Sequence, residues 1–217
     1  MAFKGAIFDL DGVIVDTVPL HMASWKNLFE KDYRIPFTYE TYQTYVDGKS
    51  RLDAIRLLLP QLSEREIIYA GELKQKYFLE LIAVETIKTF ADALILIENL
   101  IKHKILLAAA SSSKNAVLIL EKVGLLKKFQ IIISGSNFTH GKPDPEIFLN
   151  TAKAMALSVK ECVVFEDSLA GIQAAKAGGF FCVGIDRNNY PKNYTLADLH
   201  VTNLREARYA LLIEKLK

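Results

Sequence analysis

Two aspartates that are separated by a single residue follow the first apolar run of the chain. Asp9 and Asp11 stand in the sequence Phe-Asp-Leu-Asp-Gly at residues 8–12. Side chains at positions i and i+2 of an extended chain project to the same side, so the two carboxylates lie together. Carboxylates this close repel each other unless a cation or a shared proton relieves them, and magnesium prefers such hard oxygen ligands. Alone, the pair is more often a surface turn with solvated acids, because short motifs match by chance.

Hydroxyl, amine and amide side chains follow the second strand-like run and open a helical pattern. They are Ser111, Ser112, Ser113, Lys114 and Asn115. Hydroxyls, a lysine and the free amides of a helix N-terminus can together hold an oxyanion. An ordinary helix cap, which is the alternative interpretation, needs only one of the three hydroxyls.

A lysine and two more acids follow the next two strand-like runs. Lys142 precedes Pro143, whose ring restricts the backbone, while Glu166 and Asp167 end the fourth run. A polar turn and helix capping are the alternatives for these residues. Ligands of parallel α/β sheets bind beyond the carboxyl ends of the strands, so the ordered set predicts one site at that edge.

Short apolar runs alternate with helical patterns along most of the chain. The predicted strands are residues 5–8, 105–110, 130–134, 161–165 and 180–185. The predicted helices are residues 91–102, 114–123, 145–155, 168–177 and 204–216. Such alternation indicates a parallel sheet with helices on both faces.

The segment from residue 18 to residue 84 breaks this alternation, because it shows helical patterns and no convincing strand. Two stretches, 50–53 and 63–66, fit a capping box in which a hydroxyl and a carboxylate satisfy the first free amides of a helix. We therefore expect a core made of residues 1–17 and 85–217, with residues 18–84 inserted as a helical cap.

Composition narrows the function classes. The chain has 217 residues, a formal net charge of +2 and 51% hydrophobic residues, which predicts a globular protein without the broad basic field that nucleic acids or anionic membranes require. No run of 18 uncharged apolar residues occurs, and the N-terminus lacks the features of a secretory signal. Cys162 and Cys182 lie in apolar runs, as buried free thiols do. We expect a cytoplasmic protein without nucleic-acid or membrane partners.

Four short motifs, in this order, resemble those of the haloacid dehalogenase superfamily of phosphoryl-transfer enzymes. They are residues 9–12, Ser111, residues 142–143 and residues 166–167. The resemblance covers nearly the whole chain and implies an α/β fold, in which a doubly wound parallel sheet carries an inserted all-helical cap. It also implies that Asp9 is the nucleophile, that Asp11 is the general acid and base, and that Ser111 and Lys142 hold the phosphoryl oxygens. The Mg²⁺ ligands that it implies are Asp9, the backbone carbonyl of Asp11, Glu166 and Asp167.

Several cap residues resemble the β-phosphoglucomutases within the superfamily. The resemblance implies that Thr17, His21 and Trp25 lie near the substrate, with His21 coupling substrate binding to cap closure. Trp25 alone would be interpreted as core packing. His21 and Trp25 are four residues apart and share a helical face.

A second set of residues resembles the anchors of that family for the phosphate that is not reacting. Gly48, Lys49, Ser50 and Arg51 match its specificity loop, where a rigid arginine fork suits a phosphate. An exposed arginine in a first helical turn is the alternative. Lys76 falls where the family has a cap lysine facing the substrate, although solvated helix lysines are common. On the core side the matching residues are Ser112, Ser113, Lys114 and Asn115.

The resemblance implies a mutase that converts β-glucose 1-phosphate to glucose 6-phosphate through an aspartyl phosphate and a bisphosphate intermediate, acting as a monomer on small sugar phosphates. A phosphatase of sugar or polyol phosphates and a non-catalytic phosphosugar sensor are the alternatives. Two departures from the family pattern leave the substrate open. Phe90-Ala91 replaces the usual Pro-Gly where the chain re-enters the core, and Lys49 replaces a small apolar residue.

Overall fold

A parallel sheet forms the centre of the molecule in the computed structural model, which describes residues 3–187 and 194–216. The strands in these residues are β1 (Gly5–Phe8), β2 (Val15–Asp16), β3 (Lys88–Thr89), β4 (Leu106–Ala110), β5 (Ile131–Ile133), β6 (Cys162–Glu166), β7 (Phe181–Ile185) and β8 (Leu199–Val201). Six of them pair in parallel in the order β5-β4-β1-β6-β7-β8. The five strands predicted from the sequence are present, and each end differs by at most one residue. The short edge strand β8 was not predicted.

Helices cover the sheet and build the insertion. They are α1 (Val18–Lys26), α2 (Tyr39–Tyr45), α3 (Arg51–Leu58), α4 (Glu64–Val84), α5 (Ala91–Lys102), α6 (Ala116–Lys122), α7 (Glu146–Ala154), α8 (Leu169–Ala177) and α9 (Tyr209–Lys215). The prediction of a helix from residue 204 was wrong at its start. The Leu204 amide donates to the Asp92 carboxylate at 2.7 Å, which holds that residue in a loop. No helix in the described ranges is both long enough and apolar enough to cross a membrane.

The central strand β1 places the first motif. Its four residues are buried, as expected for a parallel strand covered on both faces. β1 lies between β4 and β6, where the strand order reverses, and the Phe8 ring stacks on Phe165 of β6 at a centroid distance of 4.5 Å. Asp9 therefore leaves the sheet at a topological switch point, where α/β sheets bind their ligands.

The helices between Val18 and Val84 have a hydrophobic cluster of their own. Its large aromatic members are Trp25, Phe29, Phe37 and Tyr42. Phe29 and Phe37 stack with centroids 4.9 Å apart. The capping box at the start of α4 is present, because Ser63 and Glu66 each bond to the other's backbone amide. We refer to residues 18–84, the predicted limits, as the cap.

A two-stranded ribbon joins the cap to the core. β2 and β3 are antiparallel, with Val15 opposite Thr89 and Asp16 opposite Lys88. The Phe90 amide extends the ribbon by donating to the Ile14 carbonyl at 2.9 Å. The chain therefore enters and leaves the cap side by side, so a small rotation of the ribbon is enough to move the whole cap.

Candidate active site

Three carboxylates meet where β1 and β6 end. One oxygen each of Asp9, Glu166 and Asp167 can be chosen so that all three lie within 4.8 Å of one another. The pairing of Phe8 with Phe165 aligns the two strands, so the residues that follow them emerge together. Glu166 is also held by Ser168, whose amide donates to its carboxylate at 3.1 Å. The arrangement gathers acids that the sequence separates by about 157 positions, a separation that only strand pairing can bridge.

The buried lysine at the start of the third motif pairs with this acidic group. Lys142 Nζ lies 2.6 Å from Asp9 Oδ1 and 2.9 Å from Glu166 Oε2, and its side chain is inaccessible to solvent. Burial alone would lower the pKa of Lys142, but the Asp9 and Glu166 carboxylates raise it above its usual value. Burial and the neighbouring Glu166 raise the pKa of Asp9 well above its usual range. Lys142 is therefore a permanent cation beside Asp9.

One lysine does not balance three carboxylates, and the donor set suits a divalent cation. Asp9 and Glu166 are buried and Asp167 is half-buried, so solvent does little to relieve their repulsion. Carboxylate oxygens are the hard ligands that Mg²⁺ takes in phosphoryl-transfer sites. The residues present therefore fit the metal that the sequence resemblance implies.

Asp11 has different surroundings from Asp9. It accepts hydrogen bonds from Thr17 Oγ1 and, at 3.2 Å, from Ser111 Oγ, while His21 Nε2 lies 3.5 Å away. Burial would raise the pKa of Asp11, but the neighbouring His21 and the hydroxyls of Thr17 and Ser111 lower it to about 2. Asp11 is thus ionised at neutral pH. The prediction that Thr17 contacts substrate is corrected, because its side chain is buried behind Asp11 and orients that carboxylate.

The cap lysine that faces the cleft is Lys74, which corrects the prediction of Lys76. The Lys76 side chain is 69% exposed and reaches Glu80 at 4.0 Å. Lys74 is buried, and its Nζ lies 2.9 Å from His21 Nδ1 and 5.2 Å from the Trp25 ring centroid. Two positions turn an α-helix by roughly 200°, which puts the two lysines on opposite faces.

The sequence carried a signal for Lys74 that was missed. On α4 the buried side chains include Ala70 and Phe78, each four residues from Lys74. Four-residue spacing defines one helical face, so a lysine in register with apolar neighbours is the unusual one. Burial and the positive charge of Arg51 lower the pKa of Lys74 well below its usual value.

A glutamine that the sequence analysis missed links the cap to the core. Gln75 Nε2 donates to Asn115 Oδ1 at 2.6 Å, and Asn115 Nδ2 donates to Gln75 Oε1 at 3.2 Å. Arg51 Nη1 donates to the same Gln75 oxygen. Arg51 Nε is buried without a hydrogen-bond partner among the described residues. The two predicted anchors, Arg51 of the cap and Asn115 of the core, are therefore joined through Gln75.

The predicted specificity loop closes the cleft from the cap side. The Gly48 carbonyl accepts from Ser112 Oγ at 2.9 Å, a second cap–core hydrogen bond. Gly48 has φ of 75°, and an added Cβ would lie 2.3 Å from Ser168 Oγ, so only glycine fits. Ser50 caps α3 by accepting from the Asp53 amide, and Lys49 donates to the Thr44 carbonyl at 3.2 Å. Ser50 and Lys49 both line the cleft.

A cleft of about 300 Å³ lies between cap and core. It is lined by most of the predicted residues, namely Asp9, Asp11, His21, Trp25, Gly48, Lys49, Ser50, Arg51, Ser112, Ser113, Lys114, Asn115, Glu166 and Asp167. Thr17, Ser111 and Lys142 are buried behind the carboxylates that they contact. The fold therefore brings together all of the predicted site residues except Lys76, which lies on the outer surface of α4.

Comparison with known proteins decides the family. The model of the haloacid dehalogenase-like hydrolases matches residues 3–179. The chain belongs to the haloacid dehalogenase-like hydrolase family. This confirms the predicted family and the predicted fold class, and it makes the chain an enzyme of phosphoryl transfer or phosphate hydrolysis.

Three relatives show which members of the haloacid dehalogenase-like family the chain resembles. It is 31% identical over 191 residues to a beta-phosphoglucomutase of Bacillus subtilis (strain 168), covering 84% of this chain and 83% of the relative. It is 28% identical to hexitol phosphatase A of Escherichia coli (strain K12), covering 86% and 84%. The crystal structure of a beta-phosphoglucomutase from Clostridium difficile matches with a TM-score of 0.90 and 29% identity, covering 99% of this chain and 97% of the other.

Proposed function

We propose that the protein is a Mg²⁺-dependent phosphosugar mutase that converts β-glucose 1-phosphate to glucose 6-phosphate through an aspartyl phosphate and glucose 1,6-bisphosphate. One observation carries the proposal. One cleft brings together two sets of groups that could hold phosphate, Asp9 with Lys142 buried behind it and Arg51 with Asn115, and we propose that they form its two ends. A bisphosphate that returns either of its phosphoryl groups needs both ends, whereas a simple monophosphatase needs one.

Asp9 is the nucleophile in this proposal. One carboxylate oxygen bonds to phosphorus as the bond to the leaving oxygen breaks, giving an acyl phosphate that can pass the phosphoryl group on. Lys142 and Ser111 would hold the phosphoryl oxygens, a role supported by their contacts with Asp9 and Asp11. Mg²⁺, when bound by Asp9, Glu166 and Asp167, would neutralise charge on the phosphoryl group.

Asp11 moves the proton. Its lowered pKa leaves it ionised, so it can take the proton of the sugar hydroxyl that attacks the aspartyl phosphate. When the bisphosphate returns its other phosphoryl group to Asp9, the protonated Asp11 gives that proton to the departing sugar oxygen. Atoms and charge balance over the cycle, and Asp11 ends as it began.

The closed cap supports transfer to a sugar over transfer to water. Two cap–core contacts span the cleft, Ser112 with the Gly48 carbonyl and Gln75 with Asn115. Closure of this kind excludes water from a reactive acyl phosphate. Since one chain contributes every side chain of the site, we propose that the enzyme works as a monomer on small sugar phosphates.

The alternative function is a phosphatase of small sugar or polyol phosphates, which the similarity to hexitol phosphatase A favours. Purified protein with Mg²⁺ and β-glucose 1-phosphate separates the two, with glucose 6-phosphate and free phosphate followed together. A mutase is stimulated strongly by glucose 1,6-bisphosphate and releases little phosphate. Steady phosphate release without the primer would replace the mutase by the phosphatase. Asp9→Asn should abolish both reactions, and mass spectrometry should find the phosphoryl adduct on Asp9.

A further inference from the structure

A single arginine outside the cleft contacts the chain just before the first strand of the ribbon and just after the second. Arg187 follows β7, and its side chain is 13% exposed. Nε donates to the Gly12 carbonyl and Nη2 to the Val13 carbonyl, both at 2.8 Å. Nη1 lies 3.1 and 3.0 Å from the two Asp92 carboxylate oxygens. The guanidinium carbon lies 3.7 Å from the centroid of the Phe90 ring.

These four partners belong to the two connections between core and cap. Gly12 and Val13 precede β2, through which the chain enters the cap. Phe90 and Asp92 follow β3, through which it returns. The sequence departs from the family pattern at residue 90, and the phenylalanine found there forms the platform on which the guanidinium lies. Arg187 therefore fixes both connections from the core side.

The same contacts reach the catalytic groups through the backbone. Gly12 follows Asp11 directly and has φ of 84°. An added Cβ at Gly12 would lie 2.1 Å from Asp167 Oδ2, so the Gly12 backbone packs against a candidate metal ligand. Asp92 is itself held in place, because the Leu204 amide donates to its carboxylate at 2.7 Å. A shift of the Gly12 carbonyl would displace both Asp11 and Asp167.

We propose that Arg187 is a positioning residue that fixes the base of the cap and the loop carrying Asp11, so that the cap closes in one register over the nucleophile. Arg187 lines no part of the cleft, so it acts through Gly12, Val13, Phe90 and Asp92. Only an arginine suits the position, because a planar fork can bind two carbonyls and a carboxylate while stacking on a ring. The proposal rests on phosphoryl transfer at Asp9 but not on the identity of the sugar.

Hydrogen exchange tests the proposal without any substrate. In Arg187→Ala we expect faster amide exchange in residues 11–17 and 86–91 than in wild type, with the rest of the sheet unchanged. Arg187→Lys should show the same local loss, because a point charge cannot replace the fork. Arg205→Ala is the matched control, since that arginine is exposed and only its backbone amide makes a described hydrogen bond. Equal exchange in wild type and Arg187→Ala would overturn the proposal.

Kinetics then separates positioning from stability. We expect Arg187→Ala to lower kcat by about 100-fold, the cost of a misplaced catalytic group, with a much smaller change in KM. Added guanidinium should restore part of kcat in Arg187→Ala and none in Arg187→Lys. A kcat of folded Arg187→Ala that guanidinium does not restore, or a kcat within twofold of wild type, would refute the positioning role.

A gentler variant keeps the test decisive where Arg187→Ala does not fold. Phe90→Leu keeps apolar packing but removes the ring beneath the guanidinium, and it should give the same local exchange with a smaller loss of kcat. Amide exchange in Phe90→Leu at the wild-type rate would contradict the proposed role of Arg187. If the wild-type enzyme hydrolyses its substrate instead of isomerising it, the exchange result still stands, so the two proposals fail separately.

Discussion

Arg51 offers the sharpest test of the two-ended cleft. Arg51 is half-buried and lines the cleft, where Nη1 contacts Gln75 and Nε has no partner among the described residues. Burial lowers the pKa of Arg51, which nevertheless remains a cation in proteins. Arg51→Ala removes this charge and leaves Asp9 and the groups that contact it unchanged.

The expected magnitude follows from two hydrogen bonds between the Arg51 guanidinium and a phosphate. A hydrogen bond to a charged group contributes about 1.5–3 kcal/mol, so two bonds to a phosphate give at least 3 kcal/mol. Every 1.4 kcal/mol is tenfold, so kcat/KM for isomerisation should fall about 100-fold or more. An unsatisfied buried donor costs about 1–3 kcal/mol, which Arg51→Ala removes from the unliganded protein. Its melting temperature should therefore not fall.

The assay compares two reactions of one variant. Isomerisation of β-glucose 1-phosphate needs the distal anchor, whereas hydrolysis of acetyl phosphate, which has no second phosphate, does not. We expect the large loss in the first and less than about threefold in the second, because the groups that stabilise the transferring phosphoryl are intact. Arg65→Ala, an exposed arginine on α4, is the matched control and should change neither. Equal losses in both reactions would refute Arg51 as a distal anchor.

The remaining predictions concern glycine, lysine and pH. Gly12→Ala should lower turnover by about 100-fold and raise the Mg²⁺ concentration for half-maximal rate, since the new Cβ meets Asp167; unchanged Mg²⁺ activation would contradict it. Lys76→Ala should leave activity as in wild type, because that side chain is solvated, and a large loss would restore it to the site. At pH values between the lowered pKa of Lys74 in the folded protein and its usual pKa of 10.5, Lys74 binds a proton only in the unfolded chain. The stability of the wild-type protein should therefore rise with pH over this range, by at most about 1.4 kcal/mol per pH unit. Lys74→Met should be more stable than wild type near neutral pH, and its free energy of unfolding should change less with pH. Urea titrations of both proteins at two pH values measure this, and an equal pH dependence in the two proteins would refute the lowered pKa of Lys74.

The sequence predicted the features of the fold that residues close together in the chain determine. The alternation of buried strands and helices is set by residues close in the chain, so the five main strands were found to within one residue. Parallel order then forces the strand ends to one edge, which explains why Asp9, Ser111 and Glu166 were expected together. Family resemblance added the roles of these groups, which spacing alone did not supply.

The sequence could not predict what depends on helix rotation or distant pairing. Lys74 and Lys76 differ by half a turn of α4; the spacing of Lys74 from Phe78 indicates the buried face, but only the contact with His21 shows that this face meets the site. Gln75 meets Asn115 forty positions away, and Arg187 meets Gly12 at a separation of 175. β8 is three residues long and carries a weak pattern. These contacts are consequences of the assembled fold.

The two aspartates of the first motif divide their work through their surroundings. Burial and the neighbouring Glu166 raise the pKa of Asp9, and the Lys142 ammonium opposes that rise. Asp11 is buried as well, but His21 and two hydroxyls lower its pKa to about 2, so it is ionised at neutral pH. Environments that push two carboxylates apart in pKa are how one site assigns different roles to chemically identical groups. Because His21 belongs to the cap and Asp11 to the core, one of the groups that lower the pKa of Asp11 reaches it from across the cleft.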